Sequence, residues 1–288
     1  MFCPTPITIR NTVFDFSTKT FVMGILNVTP DSFSDGGKFV SVDVALAHAI
    51  QMIAEGADII DVGGESTRPG SESVSPEKEK ARVLPVIRVI RDRFPSIPIS
   101  IDTQKADVAS VALDAGADVV NDVSALRNDR RMARLVGERE VPVILMHMQG
   151  MPKTMQNAPH YSDVVREVID FLRRQMDLGE ASGISRSKII VDPGIGFGKT
   201  LDHNIEIFRR LEEMQGLCAP ILIGHSRKAM IGTLMGDLPP EKRLEGTLAV
   251  GVLAADRGAH ILRVHDVGAM VKALVVAGRL REEVPVRQ

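Results

Sequence analysis

Short runs of β-branched and other apolar residues recur along the chain. Each is followed by a stretch in which apolar residues return every three or four positions. The first pattern marks buried strands and the second marks amphipathic helices. The runs predict strands at Val22–Asn27, Ile59–Val62, Ile99–Ile101, Val119–Asn121, Val143–Met146, Ile189–Val191, Ile221–Ile223 and Ile261–Val264. Helices are predicted near 43–55, 76–93, 105–114, 129–136, 162–181, 203–214, 241–257 and 266–280. Strands that alternate with helices imply a parallel sheet. Eight such units in 288 residues fit an α/β fold of the closed (β/α)8 TIM-barrel type, whose typical length is about 250. A doubly wound open sheet is the rival. One domain is expected over 1–288, with the barrel proper from about 21 to 281. Ile7–Phe16 alternates apolar and polar residues around Arg10-Asn11 and predicts a short N-terminal β-hairpin over the barrel's N-terminal mouth.

One unit repeats within the chain. Gly56-Ala57-Asp58-Ile59-Ile60-Asp61-Val62 is echoed by Gly116-Ala117-Asp118-Val119-Val120-Asn121-Asp122 and by Gly258-Ala259-His260-Ile261-Leu262-Arg263-Val264. A glycine ends a helix in the left-handed conformation and a buried strand follows at once. The fifth residue after each glycine is polar: Asp61, Asn121 and Arg263. All three fall in one phase at the C-terminal end of their strands, where the active sites of such barrels lie. A polar strand end meeting solvent is the bland alternative for any one of them. Three in phase, with donors and acceptors mixed, point to a pocket.

Composition narrows the function. Apolar residues make up 44% and charged residues 25%, the balance of an ordinary globular chain. The formal charge of −2 argues against a general nucleic-acid binder, which carries a basic excess. With no Trp and one Tyr, stacking on bases is also poorly supplied. The longest clean apolar run, Leu248–Ala255, is far short of the roughly 20 residues that span a bilayer. No basic region followed by an apolar stretch opens the chain, so no signal peptide and no membrane association are expected. Cys3 and Cys218 have no metal-ligand spacing, which fits a reducing, cytoplasmic location.

Every predicted strand delivers a polar group to the same rim: Asn27, Glu65 to Arg68, Asp102-Thr103, Asn121-Asp122, His147, Asp192, His225 to Lys228, and Arg263 to Asp266. Asp102 and Asp266 could each merely cap the helix that follows, and Asp192-Pro193 could be turn chemistry. Gly194–Thr200 looks like a phosphate loop, but Pro193 stands where such a loop needs its first glycine. His48, His160 and His203 lack partner spacing, and no His-Glu-x-x-His or Cys-x-x-Cys pair occurs. A caged zinc is therefore not expected. Mg²⁺ held by few oxygens and a substrate's phosphates is the better fit, and the Asn27 carbonyl suits it. Arg68, Lys228, Arg263 and His265 supply cations for an anion. Asp102 and Asp192 suit the amino-and-amide edge of a heterocycle. The rim thus reads as a site for a flat polar heterocycle with an anionic, phosphorylated leaving group.

These residues closely resemble the dihydropteroate synthase family of pterin-binding enzymes. Met23–Gly37 (MGILNVTPDSFSDGG) is similar to the family's first signature and Asp61–Gly70 (DVGGESTRPG) to its second. Ser100–Thr103, Asn121-Asp122, Asp192–Phe197, Ser226–Lys228 and Arg263–Asp266 follow in order, so the likeness runs from residue 22 to about 280. It implies a transferase that joins p-aminobenzoate to 6-hydroxymethyl-7,8-dihydropterin diphosphate, giving dihydropteroate and pyrophosphate for folate synthesis. The chemistry of such a rim suggests an S_N1-like path, with Mg²⁺ and Arg263 stabilising the departing diphosphate. By the resemblance, Asp102, Asn121, Asp192 and Lys228 would hold the pterin with Met146 on its face. Asn27, Thr67, Arg68, Arg263 and His265 would meet the diphosphate, with Mg²⁺ at Asn27. Thr67, Arg68, Pro69, Phe197, Ser226 and Lys228 would shape the p-aminobenzoate pocket. Asp102, Lys228, Arg263 and Asn27 would carry the chemistry. A homodimer and sulfonamide binding are further implications. The alternatives are an inactive pterin-binding paralogue, a methyltetrahydrofolate-type methyltransferase barrel and a purely structural barrel.

Overall fold

The computed structural model describes residues 4–29, 42–66, 71, 73–150 and 154–281. A small antiparallel hairpin, β1 (Ile7–Ile9) and β2 (Thr12–Phe14), precedes eight parallel strands. These are β3 (Phe21–Asn27), β4 (Ile59–Gly63), β5 (Ile99–Asp102), β6 (Val119–Asp122), β7 (Val143–Met146), β8 (Ile189–Asp192), β9 (Leu222–Ile223) and β10 (Ile261–Val264). They pair in the order β8-β7-β6-β5-β4-β3-β10-β9. A single parallel bridge between Val191 and Ile221 joins the two ends, and the Val191 amide donates to the Pro220 carbonyl at 2.9 Å. The sheet is thereby closed, and the open-sheet alternative falls.

Period-two alternation decides what each strand does. Val22, Leu26, Ile60, Val62, Ile101, Val120, Leu145 and Val191 face outward into one large core beneath the helices. Their neighbours face the barrel axis. Low in the barrel these are Met23, Ile59, Val119, Ile144, Ile190, Leu222 and Ile261, packed with Ile7, Ile9, Phe14, Phe16 and Phe21 from the N-terminal segment. The hairpin is therefore an apolar plug in the N-terminal mouth. Arg10, at φ 55 in its turn, pins it by donating to Pro95 O at 2.6 Å and Asp118 Oδ1 at 3.0 Å. Phe14 is fully buried, its ring 4.6 Å from that of Phe21. Phe14→Ala is expected to cost about 3–5 kcal/mol in a urea melt. A loss below about 1 kcal/mol would mean that the barrel floor holds without its plug.

The helices follow the predicted pattern with three departures. They are α1 (Val42–Ala54), α2 (Pro76–Arg93), α3 (Ala106–Asp114), α4 (Arg131–Arg139), α5 (Val164–Ala181), α6 (Leu201–Arg209), α7 (Ala229–Leu234), α8 (Leu244–Asp256) and α9 (Val267–Arg281). The helix expected at 129–136 starts later, because the Asp129 side chain accepts the Ala106 and Arg131 amides instead of entering the helix. The helix expected at 203–214 ends at Arg209 and tightens into a 3₁₀ turn over Leu211–Leu217. Helix α7 has six residues and no side-chain cap, too short to leave a periodic signal. The left-handed glycines of the internal repeat are present, with φ of 100, 114 and 94° at Gly56, Gly116 and Gly258. No helix among the described residues is long and apolar enough to cross a membrane.

Candidate functional site

Above the apolar layers, the inward positions of the strands turn polar. Asn27, Asp61, Asn121, Asp192 and Arg263 share the phase of the plug-contacting residues two or four positions earlier, and Asp102 shares that of Ser100. The register aligns Asn27 with Gly63, Gly63 with Asp102, and Asp102 with Asn121 across four neighbouring strands. Met146 aligns with Asp192 on the far side. The C-terminal strand ends thus form a ring.

The three echoed residues meet directly. Arg263 donates through Nε to Asp61 Oδ2 at 2.6 Å and through Nη2 to Asp102 Oδ2 at 2.8 Å. Asn121 Nδ2 donates to the same Asp61 oxygen at 3.1 Å. Asp61 was recognisable from its phase in the repeat but not as the centre of this network. It is fully buried, and its Oδ1 has no hydrogen-bond partner among the described residues. A fork between two carboxylates suits the planar guanidinium. Burial pushes the Asp102 carboxyl up to about 7, although the Arg263 charge opposes it. Asp102 caps no helix. The residue preceding α3 is Lys105, which has no side-chain cap, and its amide donates to Thr103 Oγ1 at 3.3 Å.

The opposite wall holds Asp192 and Lys228. Asp192 Oδ1 accepts the Gly194 amide at 2.7 Å, and burial raises its carboxyl against the pull of Lys228. Lys228 Nζ donates to the Ile195 carbonyl and lies 4.4 Å from the centre of the Phe197 ring. Its burial lowers the ammonium to about 8, with the Asp192 charge opposing. Met146 packs with Val123, Met148, Met155 and Phe197 in a small apolar cluster on the same side. Ser226 Oγ accepts the His265 amide at 3.2 Å and meets His265 Nδ1 at 3.0 Å, which fixes the imidazole. Asp266 stands at the head of α9, its carbonyl accepting the Met270 amide at 3.1 Å, while its carboxylate pairs with Arg227 at 2.9 and 2.5 Å.

The structure therefore brings Asp102, Asn121, Asp192, Lys228, Arg263, Met146, Phe197, Ser226 and His265 to one end of the barrel. Asn27 stands there too, half-buried on β3. Thr67, Arg68 and Pro69 lie outside the described residues. His225 is fully buried with Nε2 on the Thr247 carbonyl at 3.0 Å, and burial lowers it to about 4. Lys199 was not anticipated. Inside the rejected phosphate-loop motif it is buried, 3% exposed, and burial lowers it to about 7. Nothing in the local motif announces this, because its acceptors are backbone carbonyls and a histidine from another strand. Among the described residues no group of three His, Cys, Asp or Glu side chains could hold a metal.

Such a rim can bind a planar heterocycle by its donor and acceptor edge, hold an anion beside it and wall off an apolar slot. Comparison with known proteins points the same way. A family model described as "Pterin binding enzyme" matches residues 23–265. The Synechocystis dihydropteroate synthase is 46% identical over 277 residues, covering 96% of each chain. The Yersinia pestis dihydropteroate synthase, solved with a sulfonamide drug complex, superposes with a TM-score of 0.91 at 43% identity, covering 96% of this chain and 99% of that one. The Xanthomonas albilineans dihydropteroate synthase, solved with 4-aminobenzoic acid, also gives 0.91 at 44% identity, covering 98% and 100%.

Proposed function

The chain belongs to the pterin-binding enzyme family as one of its dihydropteroate synthases, and from that premise we propose how its residues carry the transferase reaction. The protein joins 6-hydroxymethyl-7,8-dihydropterin diphosphate to p-aminobenzoate, releasing dihydropteroate and pyrophosphate. The single observation that carries the reading is the convergence of buried Asp102, Asn121 and Asp192 with half-buried Lys228 and Arg263 on one rim. A site that pairs buried polar groups rejects ligands lacking the matching edge by roughly 10⁴–10⁵.

Asp102, Asn121, Asp192 and Lys228 grip the pterin edge, and Met146 packs on its face. Arg263 and His265 face the diphosphate. Phe197, Ser226 and Lys228, with Thr67, Arg68 and Pro69 of the second signature, shape the arylamine pocket. The methylene C–O bond breaks and its electron pair leaves with the diphosphate. Arg263 stabilises the charge developing on that oxygen, and the Asp102 field stabilises the electron-poor methylene. The aniline nitrogen then bonds to the methylene carbon and loses one proton. Departure precedes attack on this S_N1-like path, so a large secondary isotope effect at the methylene is expected.

Mg²⁺ fits the donor set as a lightly held ion. The Asn27 side-chain oxygen, half-buried at the end of β3, would with the substrate's phosphates and water supply the oxygen ligands that Mg²⁺ prefers. When bound, the ion neutralises charge on the departing diphosphate.

A homodimer completes the proposal. Helices α8 and α9 pack together and leave Leu253, Val275, Val276 and Leu280 exposed by 57, 60, 60 and 83%. Exposed apolar residues on two neighbouring helices support an association surface there. Sedimentation velocity is expected to show a dimer that Leu253→Glu with Val276→Glu converts to a monomer. A monomeric unsubstituted protein would overturn this. The cytoplasm is the proposed compartment, following from the reduced-cysteine reading.

The direct test is incubation of the purified protein with pterin diphosphate, p-aminobenzoate and Mg²⁺. Dihydropteroate and pyrophosphate in equal amounts are expected. Pterin binding without product would favour the inactive paralogue.

A further inference from the structure

Between β8 and α6 the chain runs Pro193-Gly194-Ile195-Gly196-Phe197-Gly198-Lys199. Gly194, Gly196 and Gly198 have φ of 67, 80 and 60°, a region open to glycine. The segment lies flat on the chain that follows β7. A Cβ at Gly194 would stand 1.9 Å from the His147 carbonyl oxygen, and one at Gly198 would stand 2.4 Å from that of Gln149.

Five consecutive carbonyls of this segment are each taken by a side-chain donor. Gly194 O accepts from Lys199 Nζ at 2.9 Å and Ile195 O from Lys228 Nζ. Gly196 O accepts from Gln156 Nε2 at 2.6 Å, Phe197 O from Lys199 Nζ at 3.0 Å and Gly198 O from Tyr161 Oη at 2.7 Å. The Gly196 amide donates to Asn204 Oδ1 at 2.7 Å. Surface loops ordinarily leave such groups to water. Side-chain capture of a whole run makes a rigid platform.

Lys199 is the centre of that platform. Its ammonium has three protons and four acceptors in reach: Gly194 O at 2.9 Å, Phe197 O at 3.0 Å, His147 Nδ1 at 2.9 Å and, more distantly, His147 O at 3.5 Å. A buried ammonium is costly unless every proton is matched, and here each is. Lys199 touches no part of the inward ring directly. It holds the backbone that carries Phe197, whose ring packs on Met146, Met148 and Met155 and against the Lys228 ammonium.

We propose that Lys199 is a positioning residue that sets arylamine recognition, by locking the 194–198 backbone and with it the Phe197 wall of the p-aminobenzoate pocket. The proposal rests on the synthase reading for the identity of the second substrate. It assigns Lys199 to one half of the reaction only. The pterin half is held mainly by strand-borne Asp102, Asn121 and Asp192; of these only Asp192 meets the platform, through the Gly194 amide, and Lys228 is shared by both halves.

The test compares Lys199→Met with Gln156→Ala. The second frees one carbonyl from an exposed side chain and does not threaten folding. For Lys199→Met the KM for p-aminobenzoate is expected to rise about tenfold, since a displaced wall costs affinity steeply. Its kcat should stay within about threefold and the pterin diphosphate Kd within about twofold. Gln156→Ala should show the same split at about threefold with an unchanged Tm. Calorimetric binding of p-aminobenzoate to protein loaded with pterin and pyrophosphate reads the same quantity without turnover. A failure of the synthase reading therefore shows as an unsubstituted protein that makes no product. The Lys199 proposal is overturned if Lys199→Met folds with unchanged arylamine affinity, if that affinity is unchanged in Gln156→Ala, or if pterin and arylamine affinities fall together in both variants. Should Lys199→Met not fold, Gln156→Ala alone decides.

Discussion

Arg263→Ala is expected to lower kcat/KM by about 10²–10³, the loss seen when one preorganised charge stabiliser is removed. Two effects combine. On the proposed mechanism the leaving diphosphate loses a guanidinium donor, and Asp102 loses the cation that opposes its burial. The Arg263 side chain is 19% exposed and is bonded to Asp61, fully buried, and Asp102, 7% exposed. Removing it strands two carboxylates close together in a poorly solvated place. Breaking a buried pair in this way costs about 3–5 kcal/mol. The cost depends on pH with a definite sign. Asp102, raised by burial, loses the charge that lowers it, so at pH 6 it takes up a proton and relieves the repulsion. At pH 8 it cannot do so as readily. Urea melts should therefore show a larger loss at pH 8 than at pH 6. Arg263→Lys should fall between, because one ammonium cannot fork to both acids. Activity within tenfold of the unsubstituted protein, or an equal loss of stability at both pH values, would remove Arg263 from the centre of the site.

Much of this arrangement was legible beforehand, for identifiable reasons. The eight barrel strands came from short apolar runs whose outward and inward halves are both buried, and all eight lie within a residue or two of the expected spans. β9 is the partial exception: Ile221 forms only the closing bridge, so the strand proper shrinks to Leu222–Ile223. The hairpin plug followed from alternation about Arg10-Asn11. Asp61, Asn121 and Arg263 followed from a repeat whose glycines fix the phase of the strand after them. What stayed hidden was contact. Arg263 and Asp61 are 202 positions apart, and no local pattern says that one will fork across the other to Asp102. Lys199 was hidden for a second reason. A lysine in a glycine-rich turn reads as solvated, and its burial depends on carbonyls that a residue alphabet does not display. Asp266 shows the converse, since a residue whose place reads as a local cap also binds Arg227 from the neighbouring strand end, 39 positions away.

Pterin binding is expected to weaken about tenfold for each pH unit below about 7, or about 10² between pH 7 and pH 5. The Asp102 carboxyl sits at about 7 in the free protein because burial outweighs the Arg263 charge. A pterin edge that donates to this group needs it ionised, so binding at pH 6 must expel the proton that Asp102 holds. Folding of the free protein has the opposite sign. An aspartate raised from its ordinary 3.8 contributes stability that is complete below that value and is lost as the pH climbs through 7. The free protein thus prefers the acid form while the ligand demands the base. Asp192 is also raised by burial and adds to the same slope. Lys228, lowered to about 8, bends the profile in its own range. Calorimetry at pH 6 in two buffers of different ionisation enthalpy should find close to one proton released per pterin bound. Asp102→Asn, which cannot titrate, should bind more weakly at pH 8 and show a much flatter profile below 7. A Kd constant from pH 5 to 8, or proton uptake in place of release, would mean that Asp102 does not meet the pterin as a carboxylate.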